Sequence, residues 1–178
     1  MIVIISDDSR GNWGMALEEA IIHTETQVVC FAANTLDIKP CAACGSCSGK
    51  TFGRCIIQDD MQQLLPKIAG CQSLVLVSPI VFGGVSYHIK KMIDRISVLG
   101  DPRYHMKNGE LVKGIRVKNM NYYMVGIMDD LHETERSAFL FFHKENCNIM
   151  NVKGQAFILD SISNKDSLEK IVQEIVYE

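Results

Sequence analysis

The stretch SLVLVSPIVFGG, residues 73–84, sets the fold of this chain. Its first part is an almost unbroken apolar run that ends at Pro79. A run of that length predicts a β-strand buried on both faces, which is typical of parallel sheets. The remainder is an apolar loop that ends in two glycines. Four further segments predict buried strands, at residues 2–5, 27–33, 121–128 and 154–160.

Segments with helical periodicity lie between and after these strands. Apolar residues recur at intervals of three and four in stretches that begin near residues 13, 61, 86, 133 and 164. The predicted N-cap residues are Asn12, either Asp59 or Asp60, and Ser163. Five strand–helix alternations predict an α/β fold, with a doubly wound parallel sheet covered by helices on both faces in three layers. The length suits a single domain, 1–178, with two long loops at 34–58 and about 100–118.

Composition and charge argue against several classes of protein. The net charge is −3 and the isoelectric point is about 5.9, so no nucleic-acid or acidic-membrane partner is expected. No apolar run approaches the roughly 18 residues needed to span a bilayer, and no basic leader precedes the first strand. We therefore expect a cytoplasmic protein with no membrane partner, in which thiols stay reduced and disulfides are disfavoured.

Three loops are expected at the ligand-binding edge, because open α/β sheets bind ligands outside the carboxyl ends of their strands. They are SDDSRGN after the first strand, PIVFGG after the third and MDDLHE after the fourth. The first loop opens a helix, whose unpaired N–H groups and partial positive charge suit a phosphate. Its two acidic residues, Asp7 and Asp8, count against a dianionic ligand. The alternative is a helix cap and turn that binds nothing.

The loop after the third strand predicts a different kind of ligand. Ile80, Val81 and Phe82 extend beyond the predicted sheet edge and are followed by Gly83 and Gly84. An apolar loop at a ligand-binding edge is expected to contact something flat and apolar. The alternative is that these side chains fold back into the core.

The same two loops resemble the signatures of the NADPH-dependent FMN reductase family of flavodoxin-like proteins. The family usually opens with a strand and then Ser-Pro-Arg-x-x-Gly-Asn-Thr, and this chain has SDDSRGNW at residues 6–13. The second signature, Ser-Pro-x-Tyr-Phe-Gly followed by Lys-x-x-x-Asp-Arg, is similar to SPIVFGGVSYHIKKMIDR at residues 78–95. The departures from the two signatures are Asp7, Asp8, Trp13 and Val81.

The resemblance implies a flavodoxin-like fold with strand order 2-1-3-4-5 and a bound FMN. The phosphate would sit on residues 6–13, which we call the phosphate loop, and the flavin ring would lie against residues 79–84, with 128–131 closing over it. The flavin itself carries the chemistry, so no catalytic side chain is predicted. The predicted FMN-binding residues are Ser6, Ser9, Arg10, Gly11, Asn12, Trp13, Pro79, Ile80, Val81, Phe82, Gly83, Met128 and Asp129.

A dense group of thiols follows the second predicted strand, in residues 34–58, which we call the cysteine loop. The spacing is Cys41-x-x-Cys44-x-x-Cys47, then seven residues, then Cys55. Four thiolates this close can hold one compact centre such as a [4Fe–4S] cluster. Zinc also takes four cysteines, usually as two separated pairs, and a third alternative is four unligated thiols. The loop, with the DDM that follows it, resembles the iron–sulfur flavoproteins of the same family in arrangement and position.

Together these features predict an FMN-binding oxidoreductase or electron-transfer flavoprotein. Electrons would come from NAD(P)H or from a small-molecule or protein carrier, and the four-cysteine cluster would relay them to the flavin. The resemblance also implies a homodimer or homotetramer, in which the cysteine loop faces a neighbouring flavin. Two alternatives stay open: a metal-free NAD(P)H:quinone or FMN reductase, and a non-catalytic flavodoxin-like binding module.

The remaining cysteines and histidines have simpler interpretations. The cysteines predicted to pack as small buried hydrophobic residues are Cys30, Cys71 and Cys147. The histidines predicted to lie at the surface or at helix caps are His23, His88 and His143. His132 lies near the predicted flavin and is interpreted as a solvated loop residue.

Overall fold

The computed structural model describes residues 1–101, 103–115, 117, 119–130, 132–160 and 165–177. Its strands are β1 (Ile2–Ser6), β2 (Val28–Ala32), β3 (Ser73–Val81), β4 (Gly84–Val85), β5 (His105–Lys107), β6 (Glu110–Val112), β7 (Asn121–Ile127) and β8 (Ala156–Leu159). Its α-helices are α1 (Trp13–Ile22), α2 (Met61–Ala69), α3 (Tyr87–Ile96), α4 (Glu133–Met150) and α5 (Lys165–Tyr177). Five strands (β1, β2, β3, β7 and β8) and the five helices alternate as the apolar periodicity predicts, whereas β4, β5 and β6 are additional short strands.

Five parallel strands form the main sheet, in the order β2-β1-β3-β7-β8. Counted among the parallel strands alone this is 2-1-3-4-5, so the predicted α/β fold and strand order are confirmed. Strand β3 lies at the centre, paired with β1 on one side and β7 on the other. Its eight buried residues explain why this stretch of sequence is almost entirely apolar.

Two apolar clusters cover the two faces of the sheet. One contains Leu74 and Leu76 of β3 and packs them against α2, α3 and α4. The other contains Val75 and Val77 and packs them against α1 and α5. Because successive side chains of a strand point to opposite faces, neighbouring residues of β3 enter different clusters. The result is the predicted three-layer arrangement.

Strand β3 continues beyond Pro79, where the sequence predicts its end. It runs to Val81 and then turns back into the two-residue strand β4. Strand β1 ends opposite Val77, so no strand on that side of β3 requires an N–H from Pro79. The predicted open loop is therefore a tight hairpin, which closes at Phe82 and Gly83, both with positive φ.

A second hairpin lies within the stretch 100–118 that the sequence predicts as a loop. Strands β5 and β6 pair antiparallel around Asn108 and Gly109, whose φ angles are 52° and 84°. Asn-Gly is the favoured pair for a two-residue type I′ turn, so the signal is present in the sequence. The loop prediction is wrong for these residues. Three residues of this stretch lie outside the described part: Pro102, Arg116 and Lys118.

The predicted helix caps have different outcomes. Asn12 occupies the N-cap position of α1, but its side chain makes no capping hydrogen bond. The N-cap position of α2 is Asp60, one of the two predicted candidates, and its side chain also makes no capping hydrogen bond. The Met61 N–H instead donates to the Asp59 carboxylate at 3.1 Å. The predicted N-cap positions of α1 and α2 are thus confirmed, and Ser163 lies outside the described residues.

The helices pack on the sheet through one face and carry charge on the other. The longest, α4, has 18 residues and places two glutamates in its first turn. Within the part of the chain that the structure describes, no helix is both long enough and apolar enough to cross a membrane.

Candidate functional site

The two carboxylates of the phosphate loop accept hydrogen bonds from the loop itself and from the first turn of α1. After β1 the chain forms one short 3₁₀ turn and then enters α1. The Asp7 carboxylate accepts from the Ser9 N–H at 3.2 Å. One carboxylate oxygen of Asp8 accepts from the Gly14 N–H at 3.0 Å and from the Ser6 hydroxyl in a short hydrogen bond. The start of α1 therefore already binds an anionic group that the chain itself supplies.

The other residues predicted for the phosphate loop surround this contact. Trp13 is half-buried, and a Cβ built on Gly11 would lie 3.3 Å from its Nε1, so the indole packs beside the loop backbone. The exposed residues are Ser9, Arg10, Gly11 and Asn12. Ser6 is buried at the end of β1, and its hydroxyl is engaged by Asp8. The loop thus exposes polar groups at the sheet edge, but the buried Ser6 hydroxyl is hydrogen-bonded to Asp8.

The β3–β4 turn exposes part of its predicted apolar surface. Val81 is 43% exposed and Phe82 is 96% exposed, so an apolar patch meets solvent at the carboxyl edge of the sheet. Phe82 has a φ of 49°, a left-handed conformation that is costly for a non-glycine residue. The buried members of the predicted ring contact are Pro79, Ile80 and Gly83. The prediction that Ile80 extends beyond the sheet edge is wrong, because the hairpin turns it into the core.

The loop after β7 lies at the same edge, because β1, β3 and β7 are neighbours in the sheet. Met128 is half-buried and its N–H donates to the Leu159 carbonyl at 2.9 Å. Asp129 is exposed, as is His132 at the N-cap position of α4. Leu131 lies outside the described residues. The structure therefore brings the three predicted ligand loops to one edge.

All four cysteines of the cysteine loop line one small cavity. Cys41, Cys44, Cys47 and Cys55 surround a space of about 20 Å³, with Arg95 in its wall. That volume holds about one water molecule. In the described residues, no three His, Cys, Asp or Glu side chains converge closely enough to hold a metal ion. The four cysteines are the right type of ligand for a four-thiolate centre and line one cavity, but their sulfur atoms do not converge closely enough to hold a metal ion as they stand.

The Cys44 thiol is distinct from the cysteines of the core. Hydrogen bonds from the Ser46 hydroxyl and backbone N–H to its sulfur hold the pKa of Cys44 below the usual value. Burial instead raises the pKa of Cys71 to about 11, and burial with the charges of nearby carboxylates raises the pKa of Cys30 to about 12. The thiolate is the form that binds metals and attacks electrophiles, so the loop carries the more reactive sulfur.

A buried ion pair lies at the base of the cysteine loop. Arg95 donates to the Asp59 carboxylate from Nη1 and Nη2 at 2.8 and 3.0 Å, and both side chains are fully buried. Between them, Lys39 donates its N–H to Asp59 at 2.9 Å and accepts from Arg95 at 2.8 Å through its carbonyl. Burial alone raises the pKa of the Asp59 carboxyl, but the Arg95 and Lys39 hydrogen bonds outweigh it and hold that pKa below its usual range.

Arg95 has a further donor that the ion pair does not use. Its Nε is buried and has no hydrogen-bond partner among the residues that the structure describes. Sequence reasoning missed this residue, although a signal was present, because Arg95 follows Met92 by three positions on the buried face of α3. A buried arginine requires an acidic partner, but spacing does not identify one that lies 36 positions away.

His143 is buried, which contradicts its predicted surface or cap role. It is 5% exposed, and its Nε2 donates to the Tyr122 carbonyl at 3.0 Å, since a carbonyl oxygen can only accept. The two rings stack with centroids 5.5 Å apart. Burial lowers the pKa of His143 and raises the pKa of the adjacent Cys147 to about 11. His143 and Tyr122 lie near the amino end of β7, away from the ligand edge.

The three cysteines predicted to pack in the core differ in burial. Cys71 is fully buried, whereas Cys30 and Cys147 are half-buried.

Comparison with known proteins identifies the family. The model of the NADPH-dependent FMN reductase family matches residues 6–121, which is more than half of the chain. The chain belongs to this family. The matched stretch contains the phosphate loop, the cysteine loop and the β3–β4 turn. The resemblance found in the sequence is confirmed.

Curated relatives of the chain include iron–sulfur flavoproteins, as the predicted subgroup requires. One from Methanosarcina thermophila is 31% identical over 84 residues, covering 47% of this chain and 42% of the relative. One from Methanocaldococcus jannaschii is 38% identical over 71 residues, covering 40% and 35%. The chain spans less than half the length of these relatives. The apo structure of an NADH:FMN oxidoreductase has a TM-score of 0.61 at 14% identity, covering 98% of this chain and 85% of that one, which is a likeness of fold.

Proposed function

We propose that this protein is an FMN-dependent oxidoreductase whose cysteine loop holds an iron–sulfur centre. The flavin, when bound, would supply hydride and single-electron chemistry. The observation that carries the proposal is that four loop cysteines line one cavity with Arg95, inside the stretch that matches the FMN reductase family. Family membership supports the flavin, and the shared cavity supports the metal centre.

The exposed β3–β4 turn supports the flavin part of the proposal. Val81 and Phe82 form an apolar surface at the carboxyl edge, where open α/β sheets bind their ligands. Gly83 packs the turn closely against α4, since a Cβ built on it would lie 2.6 Å from the Ala138 Cβ. An anchored apolar turn suits the face of a flat ring, with Asp129 on the neighbouring loop. In this proposal the residues of the edge bind and orient the ring.

The residues that would hold the metal centre are Cys41, Cys44, Cys47 and Cys55. Thiolates bound around iron concentrate negative charge, and two cations lie close to them. Arg95 lines the cavity and has a free Nε–H within the described part of the chain. Lys113 donates to the Ser48 hydroxyl of the cysteine loop at 3.0 Å. Such charges and donors near sulfur stabilise a thiolate centre and tune its potential.

We propose further that NAD(P)H or a small-molecule or protein carrier exchanges electrons with these two centres. A cluster held by the loop cysteines would supply one-electron chemistry and the flavin one- or two-electron chemistry, which would suit the coupling of a two-electron donor to a one-electron acceptor. Strand β2 is an edge strand, and Cys41 and Cys44 on the loop that follows it are exposed. That exposure supports a homodimer or homotetramer in which the cysteine loop approaches a neighbour's flavin.

Purification without oxygen tests both parts of the proposal. We expect the protein to show flavin absorbance and to contain about four iron atoms per chain. Cys44→Ser should lose the iron and keep the flavin. Cys71→Ser is the matched control, because Cys71 is buried outside the loop, and it should keep both.

Each component of the proposal has its own contrary result. Colourless protein that does not take up added FMN would overturn the flavin function. Zinc in place of iron, or iron that survives Cys44→Ser, would overturn the assignment of an iron–sulfur centre to the cysteine loop.

A metal-free NAD(P)H:quinone or FMN reductase is the second candidate. The lack of a converged metal-ligand group among the described residues favours it. This candidate predicts flavin without iron or zinc, and equal rates of NAD(P)H oxidation by wild type and Cys44→Ser. Metal analysis beside that assay separates the two candidates.

A further inference from the structure

Asp8 occupies the position at which the phosphate loop would otherwise offer its donors to a ligand. Its carboxylate accepts from the Gly14 N–H in the first turn of α1 and from the Ser6 hydroxyl at the end of β1. Both donors belong to the strand-to-helix junction, where parallel α/β sheets bind phosphate groups. The carboxylate is therefore bound in the manner of an external anion.

The sequence around Asp8 strengthens this occupancy. Trp13 is the first residue of α1, so a bulky indole lies at the start of the helix. Trp13 is half-buried beside Gly11 and packs on the apolar cluster of α1 and α5. Arg10 could offset the charge of a phosphate, but it is exposed. The loop therefore combines a bulky indole at the start of α1 with the carboxylates of Asp7 and Asp8.

The charge balance at the junction also disfavours a phosphate. Asp7 is only 4% exposed and Asp8 is half-buried, so two carboxylates lie at the start of the helix. A phosphate dianion there would have to displace Asp8 from its two donors and would then lie near both negative groups. A flavin that lacks the phosphate does not have to displace Asp8 and places no negative charge near the two carboxylates.

We propose that Asp8 is a built-in competitor for the flavin phosphate and thereby sets the ligand specificity of the site. The inference rests on the proposed flavin function and concerns the phosphate end alone. The ring binds at the β3–β4 turn, while the phosphate contributes little affinity as long as Asp8 holds Ser6 and Gly14. FMN then binds no tighter than riboflavin.

Titration of the apoprotein with riboflavin and with FMN, followed by flavin fluorescence, tests the inference. In wild type the two affinities should agree within a few-fold. Asp8→Ser, which frees both donors, should tighten FMN by about tenfold or more and leave riboflavin unchanged. Asp8→Asn keeps an acceptor oxygen but removes the charge, so we expect a smaller increase in FMN affinity than for Asp8→Ser. Glu19→Gln, an exposed charge removal on the same helix, should change neither affinity.

Unchanged riboflavin binding in the Asp8 variants also shows that they fold. Wild-type protein that binds FMN at least about tenfold tighter than riboflavin would overturn the inference and leave the flavin function intact. The same holds if Asp8→Ser does not change the ratio of the two affinities. Binding of neither flavin by any variant would overturn the proposed function together with the inference.

Discussion

Arg95 and Asp59 form a fully buried, bidentate ion pair that fastens helix α3 to both ends of the cysteine-bearing segment. The two hydrogen bonds measure 2.8 and 3.0 Å. The same side chains bond to the N–H and the carbonyl of Lys39, which precedes the first loop cysteine, whereas Asp59 follows the last. The ion pair therefore fixes the separation of the two ends while the cysteines between them remain near the surface.

Asp59→Asn should strongly destabilise the protein, because it leaves the Arg95 charge buried without its counter-ion. We expect the free energy of unfolding in urea to fall by about 3–5 kcal/mol. Asp94→Asn is the matched control on α3, since it breaks an ion pair with Lys90 whose side chains are 43% and 47% exposed. That change should cost less than about 1 kcal/mol. Equal losses for the two substitutions would contradict the structural importance of the buried pair.

Cys44 should be the fastest of the described thiols to react with iodoacetamide in the metal-free, reduced protein. Its pKa is lowered by Ser46, so a larger share is thiolate near neutral pH than at Cys71, whose pKa is about 11. Ser46→Ala should slow the reaction of Cys44 near neutral pH, and the difference should vanish in strong alkali. Peptide mass spectrometry gives the rate at each site. A rate at Cys44 that Ser46→Ala does not change would contradict this account.

His143 should make the protein less stable as the pH falls below its ordinary pKa of about 6.5. Burial lowers its pKa in the folded state, so in that window the unfolded chain binds the proton more readily. Above about pH 6.5 both states are neutral and the effect is absent. Urea unfolding between about pH 7 and about pH 5 should show this slope in wild type and a flatter one in His143→Gln. His23→Gln, at an exposed position, should retain the wild-type slope.

Phe82→Gly should separate the function of the β3–β4 turn from its stability. Glycine tolerates the positive φ of this position, so the free energy of unfolding should stay the same or rise by up to about 1 kcal/mol. If the exposed ring contacts the flavin, riboflavin affinity should fall by about tenfold. Phe141→Ala removes another exposed aromatic ring, on α4, and should leave flavin affinity unchanged. Unchanged riboflavin affinity in Phe82→Gly would contradict the proposed ring contact.

Local patterns predicted much of the fold and part of the candidate site. The apolar run at β3 predicted a doubly buried strand, and the rule for the carboxyl edge placed three loops together. The predictions were wrong where the same local sequence pattern is compatible with either a buried or an exposed side chain. The apolar loop predicts that Ile80 faces a ligand, but the following hairpin turns its side chain into the core. The helical pattern predicts His143 at the surface, since a polar residue on a helix usually lies there, but its side chain is buried.

The sequence by itself determined the alternation of five strands with five helices, the family signatures and the spacing of the four loop cysteines, because periodicity and motifs depend on chain geometry over a few residues. Only the tertiary structure decided what those residues contact. It paired Arg95 with Asp59 across 36 positions and placed Asp8 on the donors of Ser6 and Gly14. Such contacts depend on how helices pack on the sheet, and that packing joins groups which no spacing along the chain relates.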